Sequence, residues 1–357
     1  MNDARSEVCP ECGSNPLDRG ESASRRAFLK TIGLSAAGLT LSGRGWVEAA
    51  TITPFGRIEP PQVGPSPTSA AESAAARLFA SLDSEQKGIL HLPFSSPLRR
   101  RINANWAVTR LTIDDLTTEQ QALAREAVRA VMSPDGYERM LKQMEEDYGG
   151  LGSYHLAFFG QPWGQAKTEE EASEGFEFVL TGRHVTLRAD GNTNPGVAFG
   201  GPIVYGHGAG DGEAGLPGNV YYNQTRTANQ VFQALDGKQR KAALLPKAPA
   251  ETSVKVQGDH GSFPGLAVGE LSSDQKELFR SVLKTLLAPY REEDQTEAMA
   301  LIEAQGGLDR LHIAFYETGD LGNDREWDIW RIEGPSAVFH FRGSPHVHAY
   351  INVAKNA

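Results

Sequence analysis

The sequence predicts an α+β fold built from one duplicated unit. Each half reads as helix, helix, helix, then antiparallel strands, with the two halves related by a pseudo-twofold axis. Three observations predict it. Sequence landmarks recur in the same order and at similar spacing in both halves. In each half, segments of helical periodicity come first and short apolar runs come last. The strict strand–helix alternation of a doubly wound parallel sheet is absent.

The landmarks are specific stretches. Leu78-Phe79-Ala80-Ser81-Leu82-Asp83-Ser84-Glu85-Gln86 is matched by Val231-Phe232-Gln233-Ala234-Leu235-Asp236-Gly237-Lys238-Gln239. Leu116-Thr117-Thr118-Glu119-Gln120 is matched by Leu271-Ser272-Ser273-Asp274-Gln275. The step from Leu82 to Leu116 is 34 residues and that from Leu235 to Leu271 is 36. Further on, Tyr154–Phe159 resembles Leu311–Tyr316, and Phe178–Gly182 resembles Trp330–Gly334.

Residues 1–49 read as a twin-arginine signal peptide. Ser24-Arg25-Arg26-Ala27-Phe28-Leu29-Lys30 is followed by the uncharged run Thr31–Ser42, and small residues near Ala49 suit a cleavage site. The apolar stretch Ile32–Leu41 falls well short of the ~20 residues that span a bilayer, so removal is expected rather than anchoring. The expected partner in export is the twin-arginine translocase, and the expected location is periplasmic or extracellular. No later apolar run approaches spanning length, so no stable membrane span is expected. Both cysteines, Cys9 and Cys12, precede the paired arginines. They make half a zinc knuckle at most and are expected to leave with the signal.

Residues 50–69 carry Pro54, Pro60, Pro61, Pro65 and Pro67, which reads as an extended linker. Residues 70–357 then form a single duplicated domain, with halves at about 70–200 and 225–353. A first helix is expected to end near the Leu82-to-Gln86 landmark and its counterpart. A second opens at the Thr117 or Ser272 cap, with Leu123, Ala127, Val128 and Val131, or Phe279, Val282, Leu283 and Leu286, at helical spacing. A third runs from Tyr137 to Tyr148, or Glu293 to Ala304, and stops at a glycine pair. Strands are expected at Tyr154–Phe159, Phe176–Thr181 and Val185–Ala189, with counterparts at His312–Tyr316, Asp328–Ile332 and Ala337–Arg342.

Composition narrows the function. Residues 1–49 hold six basic and six acidic residues, so the remainder keeps the whole net charge of −10. An acidic chain without basic clusters is a poor binder of phosphate backbones, so no nucleic-acid partner is expected. A chain without cysteine beyond the signal has no thiolate ligand, thiol nucleophile or disulfide. No Gly-x-Ser-x-Gly elbow is present, and no carboxylate pair stands out as a glycosidase acid and nucleophile.

Histidines carry the remaining chemistry. His340, His346 and His348 fall within nine residues around Gly343-Ser344-Pro345. If those three residues form the loop of a hairpin, Arg342 faces His346, His340 faces His348, and all three imidazoles share a face. One more loop residue would flip His340 to the other side. Three converging imidazoles supply most of a zinc or copper site. His184 opens the equivalent strand of the first half and is the candidate fourth ligand, contributed across the interface between halves. Glu333 is a weaker carboxylate candidate. The competing reading is a solvated strand face whose histidines bind nothing. His155 and His312 occupy matching apolar runs, which points to structural roles. His207 lies in a Gly-rich stretch read as a surface loop, whose spacing fits no phosphate cradle. The expected function is therefore a metal-dependent (zinc or copper) exported enzyme of unknown reaction, acting on a small-molecule or unknown substrate, or, alternatively, a non-catalytic exported binding or structural module.

At these residues the chain resembles a bacterial family, domain of unknown function 3500. The resemblance runs from about Leu78 to Val353 through Gly182-Arg183-His184, Phe199-Gly200-Gly201-Pro202, Leu235–Arg240, Arg331-Ile332-Glu333-Gly334-Pro335 and His346-Val347-His348. The family pattern has Gly-His-His at Gly182-Arg183-His184 and tends to Glu at His340. The resemblance implies no particular reaction.

Overall fold

Four helices begin at the same device, a side-chain cap closed reciprocally by a glutamine three residues on. A computed structural model describes residues 64–162, 175–209, 218–320 and 326–355. The twin-arginine stretch, Cys9, Cys12 and most of the Pro-rich segment lie outside the described residues. Asp83 and Gln86 open α2 (Ser84–Leu90), Thr117 and Gln120 open α3 (Thr118–Val131), Asp236 and Gln239 open α6 (Gly237–Ala243), and Ser272 and Gln275 open α7 (Ser273–Leu287). Each box satisfies two backbone donors that the first helical turn leaves unpaired. The other helices are α1 (Ala70–Ser81), α4 (Pro134–Tyr148), α5 (Tyr222–Ala234) and α8 (Glu292–Ala304). Among the described residues no helix is long and apolar enough to cross a membrane.

The first helix ends at the Leu82-to-Gln86 landmark as expected, and the landmark also turns a corner into a further short helix. Leu82 closes α1 and Asp83 at once caps α2; Leu235 and Asp236 do the same between α5 and α6. The glutamines of the caps also pair with each other. Gln86 and Gln120 exchange amide hydrogen bonds of 2.9 and 2.8 Å, and Gln239 and Gln275 exchange bonds of 3.1 and 2.9 Å. Gln120 donates further to the Ser81 carbonyl and Gln275 to that of Ala234. The landmark glutamines thus bolt the α1–α2 and α5–α6 corners to the following helix.

The strands are β1 (His91–Leu92), β2 (His155–Gly160), β3 (Phe176–Gly182), β4 (Val185–Ala189), β5 (Ile203–His207), β6 (Leu244–Leu245), β7 (Leu266–Ala267), β8 (His312–Tyr316), β9 (Ile329–Gly334), β10 (Ala337–Arg342) and β11 (Val347–Val353). They form one mixed sheet, ordered β1-β2-β3-β4-β5-β11-β10-β9-β8-β6, with β7 beside β8. The central seam is antiparallel, running from Val347 opposite His207 to Ile351 opposite Ile203. The outermost strands β1 and β6 run parallel to their neighbours, with His91 opposite Phe158 and Leu244 opposite Phe315.

Among the described residues, all eight helices contribute to the main core, against one face of the sheet. Leu78 and Phe79 of α1, Val128 of α3, Met140 and Met144 of α4, and Phe279 and Leu283 of α7 meet Phe176, Phe178, Leu180, Phe339, Phe341 and Val347 there. The other face is far more polar: Glu177, Thr186, Arg188, Arg331, His340 and His348 are all buried. It is covered by segments that place Trp106 and Val108 on one small apolar cluster and Ala104 and Val254 on another. Burial on both faces explains why strand residues with polar side chains are nonetheless inaccessible. A charged cluster ties α1 to α8: Arg291 donates to both oxygens of Glu72 and to Asp294, with Asp190 and Glu297 buried nearby.

Candidate metal centre

Three histidines meet at one end of the central seam. His184 occupies the second position of the two-residue Arg183-His184 turn between β3 and β4, with Gly182 opposite Val185. Its φ of 60° is left-handed, a conformation that histidine tolerates better than most side chains in a tight turn. The turn is held from both sides. The Tyr154 hydroxyl donates to the Arg183 carbonyl at 2.9 Å, Gln143 Nε2 donates to the same carbonyl at 3.2 Å, and the His184 amide donates to the Ala104 carbonyl. Gly182 is required, since a Cβ there would lie 2.4 Å from the Tyr154 ring.

His346 and His348 come from the other side of the seam. The register of β10 on β11 pairs Arg342 with His348 and His340 with Tyr350. This corrects the three-residue loop expected from the sequence: residues 343–347 all lie outside the β10–β11 pairing. The shift is by two, so the shared face survives, but Arg342 takes the place opposite His348 that was expected for His340. His340 lies two pairs further along, its Nδ1 accepting a 3.4 Å hydrogen bond from Arg331 Nε. Burial first, then the charges of Arg331 and Arg342, hold its pKa well below the usual imidazole range.

The resulting group is His184, His346 and His348, all buried, each with a ligand atom within 4.8 Å of the others. Ring centroids are 5.1 Å apart for His184 and His346, 5.0 Å for His184 and His348, and 4.8 Å for His346 and His348. The two Nε2 atoms of His346 and His348 are 3.1 Å apart. Two imidazole nitrogens on one tetrahedral zinc are separated by about 3.3 Å, given bonds of about 2.0–2.1 Å. The spacing therefore fits a shared cation.

Carboxylates back two of the rings. His184 Nδ1 lies 2.6 Å from Asp147 Oδ2, and His348 Nδ1 lies 2.7 Å from Glu251 Oε2. Donation of Nδ1–H to a carboxylate fixes the tautomer that leaves Nε2 as the acceptor, which is the usual second layer of a histidine metal site. Asp147, near the C-terminus of α4, also accepts from Gln143 Nε2 at 2.7 Å and from the Gly208 amide at 2.8 Å. A Cβ at Gly208 would lie 2.6 Å from that same Asp147 oxygen, so only glycine permits the contact. Burial alone would raise the Asp147 pKa; the hydrogen bond and charge of His184, with Gln143 and Gly208, outweigh it and hold the carboxyl below its usual range. Burial pulls the His184 pKa down, against the opposing pull of Asp147, so the imidazole is held neutral, as a ligand must be.

Arg342 shares the site. Its Nη1 is 2.8 Å from Glu251 Oε1, while Nη2 lies 3.3 Å from His346 Nε2 and 3.0 and 3.2 Å from the two ring nitrogens of His348. The guanidinium is thus paired with one of the two carboxylates, Glu251, rather than standing as an unbalanced charge beside the imidazoles.

The other candidates lie elsewhere. His155 is buried on β2, His312 half-buried on β8, and Glu333 on β9 accepts from Gln257 Nε2 at 2.7 Å. His207 is no surface loop residue: it ends β5 fully buried, its Nδ1 accepting from the Val220 amide and its Nε2 2.7 Å from Glu146. Asp147 and Glu251 were not picked out by sequence reasoning. Neither belongs to a spacing motif, and only the folded chain carries them to the rings. Arg342 was closer to hand, because any hairpin register of even parity puts it on the histidine face.

A family model described as "Protein of unknown function (DUF3500)" matches residues 65–354. No curated protein and no solved structure shows significant similarity to the chain.

Proposed function

The chain belongs to the DUF3500 family, and we propose that it is an exported metalloprotein whose zinc or copper is held by His184, His346 and His348. The observation that carries the reading is the pair of Nδ1–carboxylate contacts, His184 with Asp147 and His348 with Glu251, made by two rings of a buried three-histidine group. Three protein ligands leave a coordination position open to water or a small-molecule substrate, the arrangement of catalytic rather than structural zinc. A bound divalent cation would supply an acidified water for hydrolysis, or, if copper, one-electron chemistry. His340 is not in this ligand set. Export by the twin-arginine route to a periplasmic or extracellular site is part of the proposal and rests on Arg25, Arg26 and the uncharged run after them.

Elemental analysis of protein recovered from its exported location tests the reading. Close to one zinc or copper per chain is expected, falling to background in the His346→Ala, His348→Ala double variant with its circular dichroism intact. Equal metal in both proteins would end it.

One observation favours a second reading, a metal-free polar clasp in a non-catalytic module. The Arg342 guanidinium lies as close to the imidazoles as a hydrogen-bonded partner would. That reading expects no bound metal and a loss of stability in Arg342→Gln.

We further propose that the two halves arose by duplication about a pseudo-twofold axis. Supporting it are the mirrored strand order around the β5–β11 seam, the matched parallel end strands, and the two reciprocal glutamine pairs. The metal group would then straddle the axis-related halves, with His184 and Asp147 from one and His346, His348 and Glu251 from the other.

A further inference from the structure

A cleft of about 630 Å³ opens on the polar face of the sheet, on the β8–β9 side of the histidines. Lys247, Lys255, Arg331, Glu333, Tyr316 and Gln257 are among its lining residues. Arg331 pairs with His340, and His340 with Tyr350. The cleft is thus two strands over and two residues along from His348, on the order of 12 Å by strand geometry. It is a different place from the metal group, on the same face.

Its charges do not balance internally. Three cations face one carboxylate, and that carboxylate is already engaged, accepting from Gln257 at 2.7 Å and lying 3.6 Å from Arg331 Nη1. Lys247 and Lys255 are exposed and form no ion pair among the described residues. The hydroxyl of Tyr316 is buried, and it has no hydrogen-bond partner there. Buried hydroxyls are ordinarily hydrogen-bonded, so this one in a cleft wall calls for a partner arriving from outside. Burial, with Glu333 adding and Arg331 opposing, pushes the Tyr316 pKa up to about 12, so at neutral pH the group is a donor. Burial also pulls the Arg331 pKa down, a cost that a nearby anion would relieve. Leu245, Pro249 and Pro264 complete the wall with apolar surface, suited to the body of a small organic molecule.

We propose that this cleft binds a small anion bearing a carboxylate or phosphate group, seated toward Arg331 and the two lysines, with the Tyr316 hydroxyl donating to it. The site is independent of the metal reading, and its test is arranged to stay so.

Calorimetric titration of the exported protein with succinate, with inorganic phosphate and with uncharged succinamide is the experiment. Succinate or phosphate is expected to bind and succinamide is not; succinate alone identifies a carboxylate site, phosphate alone a phosphate site. The Lys247→Gln, Lys255→Gln double variant is expected to weaken the binding anion at least about tenfold, the loss of two charge-assisted contacts. Tyr316→Phe, which removes one oxygen and keeps the ring, is expected to weaken it about three- to tenfold. The His346→Ala, His348→Ala variant is expected to bind the same anion with unchanged affinity. Failure of both anions to bind at millimolar concentration, or unchanged binding in the lysine double variant, overturns the proposal. Loss of binding in the histidine variant alone would reassign the anion to the metal.

Discussion

Asp147 performs two tasks with two oxygens. One accepts from the Gly208 amide and fixes the end of β5; the other accepts from His184 and Gln143. Replacing it by Asn keeps the shape but lets the amide present its NH2 to Nδ1, which favours the wrong tautomer. Asp147→Asn is expected to weaken metal binding about 10–100-fold, the usual cost of losing an outer carboxylate. Competition with a fluorescent chelator measures it, and an affinity within twofold of wild type would remove Asp147 from the site. At this scale the sequence was informative where residues were close in the chain. His346 and His348 are two apart, and a period of two suffices to put them together. His340 failed for the same local reason, because a loop two residues longer slides its partner two residues along the ladder, from His348 to Tyr350, without changing its face. Asp147 and Glu251 are about a hundred residues apart and were invisible.

The helices were legible in the sequence because their signals are local. A cap, a glutamine three residues on and an apolar stripe define α3 and α7 without tertiary information. The strand β5 was not: Ile203–His207 is short, ends in Gly206-His207-Gly208, and owes its conformation to the seam with β11. The caps themselves yield a prediction. Thr117→Ala and Ser272→Ala are each expected to cost about 1 kcal/mol, the typical worth of an N-cap. Gln120→Ala and Gln275→Ala are expected to cost more, about 2 kcal/mol, because each also removes the reciprocal amide bonds to its partner glutamine and the bond to a helix-end carbonyl. Urea midpoints read both. A glutamine variant no worse than the cap variant would show that the reciprocal pair contributes little.

Across the molecule, order of elements was readable and their assembly only partly so. The helical stretches followed by short apolar runs anticipated the mixed α+β character; the edge-to-edge joining of the strands into one sheet depends on contacts between residues far apart in the chain. The charged cluster between α1, α8 and the end of β4 is a case in point, since Glu72 and Arg291 meet only in the complete fold. Burial and then Glu177 push the Asp190 carboxyl up to about 7; burial and then Asp190 and Asp294 push that of Glu297 up to about 8. Both groups therefore hold a proton in the folded chain that the unfolded chain, with carboxyls near pKa ~4, has already released. Their contribution to stability is complete below pH ~4 and drains away as pH rises toward 7–8. His184 and His340, held neutral by burial, act in the opposite sense at lower pH, so the comparison to make is between variants. Glu297→Gln is expected to gain on wild type by about 1–3 kcal/mol between pH 5 and pH 8, in urea unfolding at each pH. A gap between the two proteins that does not change with pH would place that carboxyl in the ordinary range.

The two-residue strands at the ends of the sheet have a bearing on the behaviour of many copies together. A wide sheet that finished in a long bare strand would offer a ready template for another chain to add onto. Among the described residues one margin offers the dipeptide His91-Leu92 and the other the dipeptides Leu244-Leu245 and Leu266-Ala267; the first two run parallel to their neighbours and are entered directly from a short helix, and the third is antiparallel to β8. So little free ladder leaves scarcely one repeat for an incoming strand, and the native protein should resist fibril growth by strand addition even when concentrated.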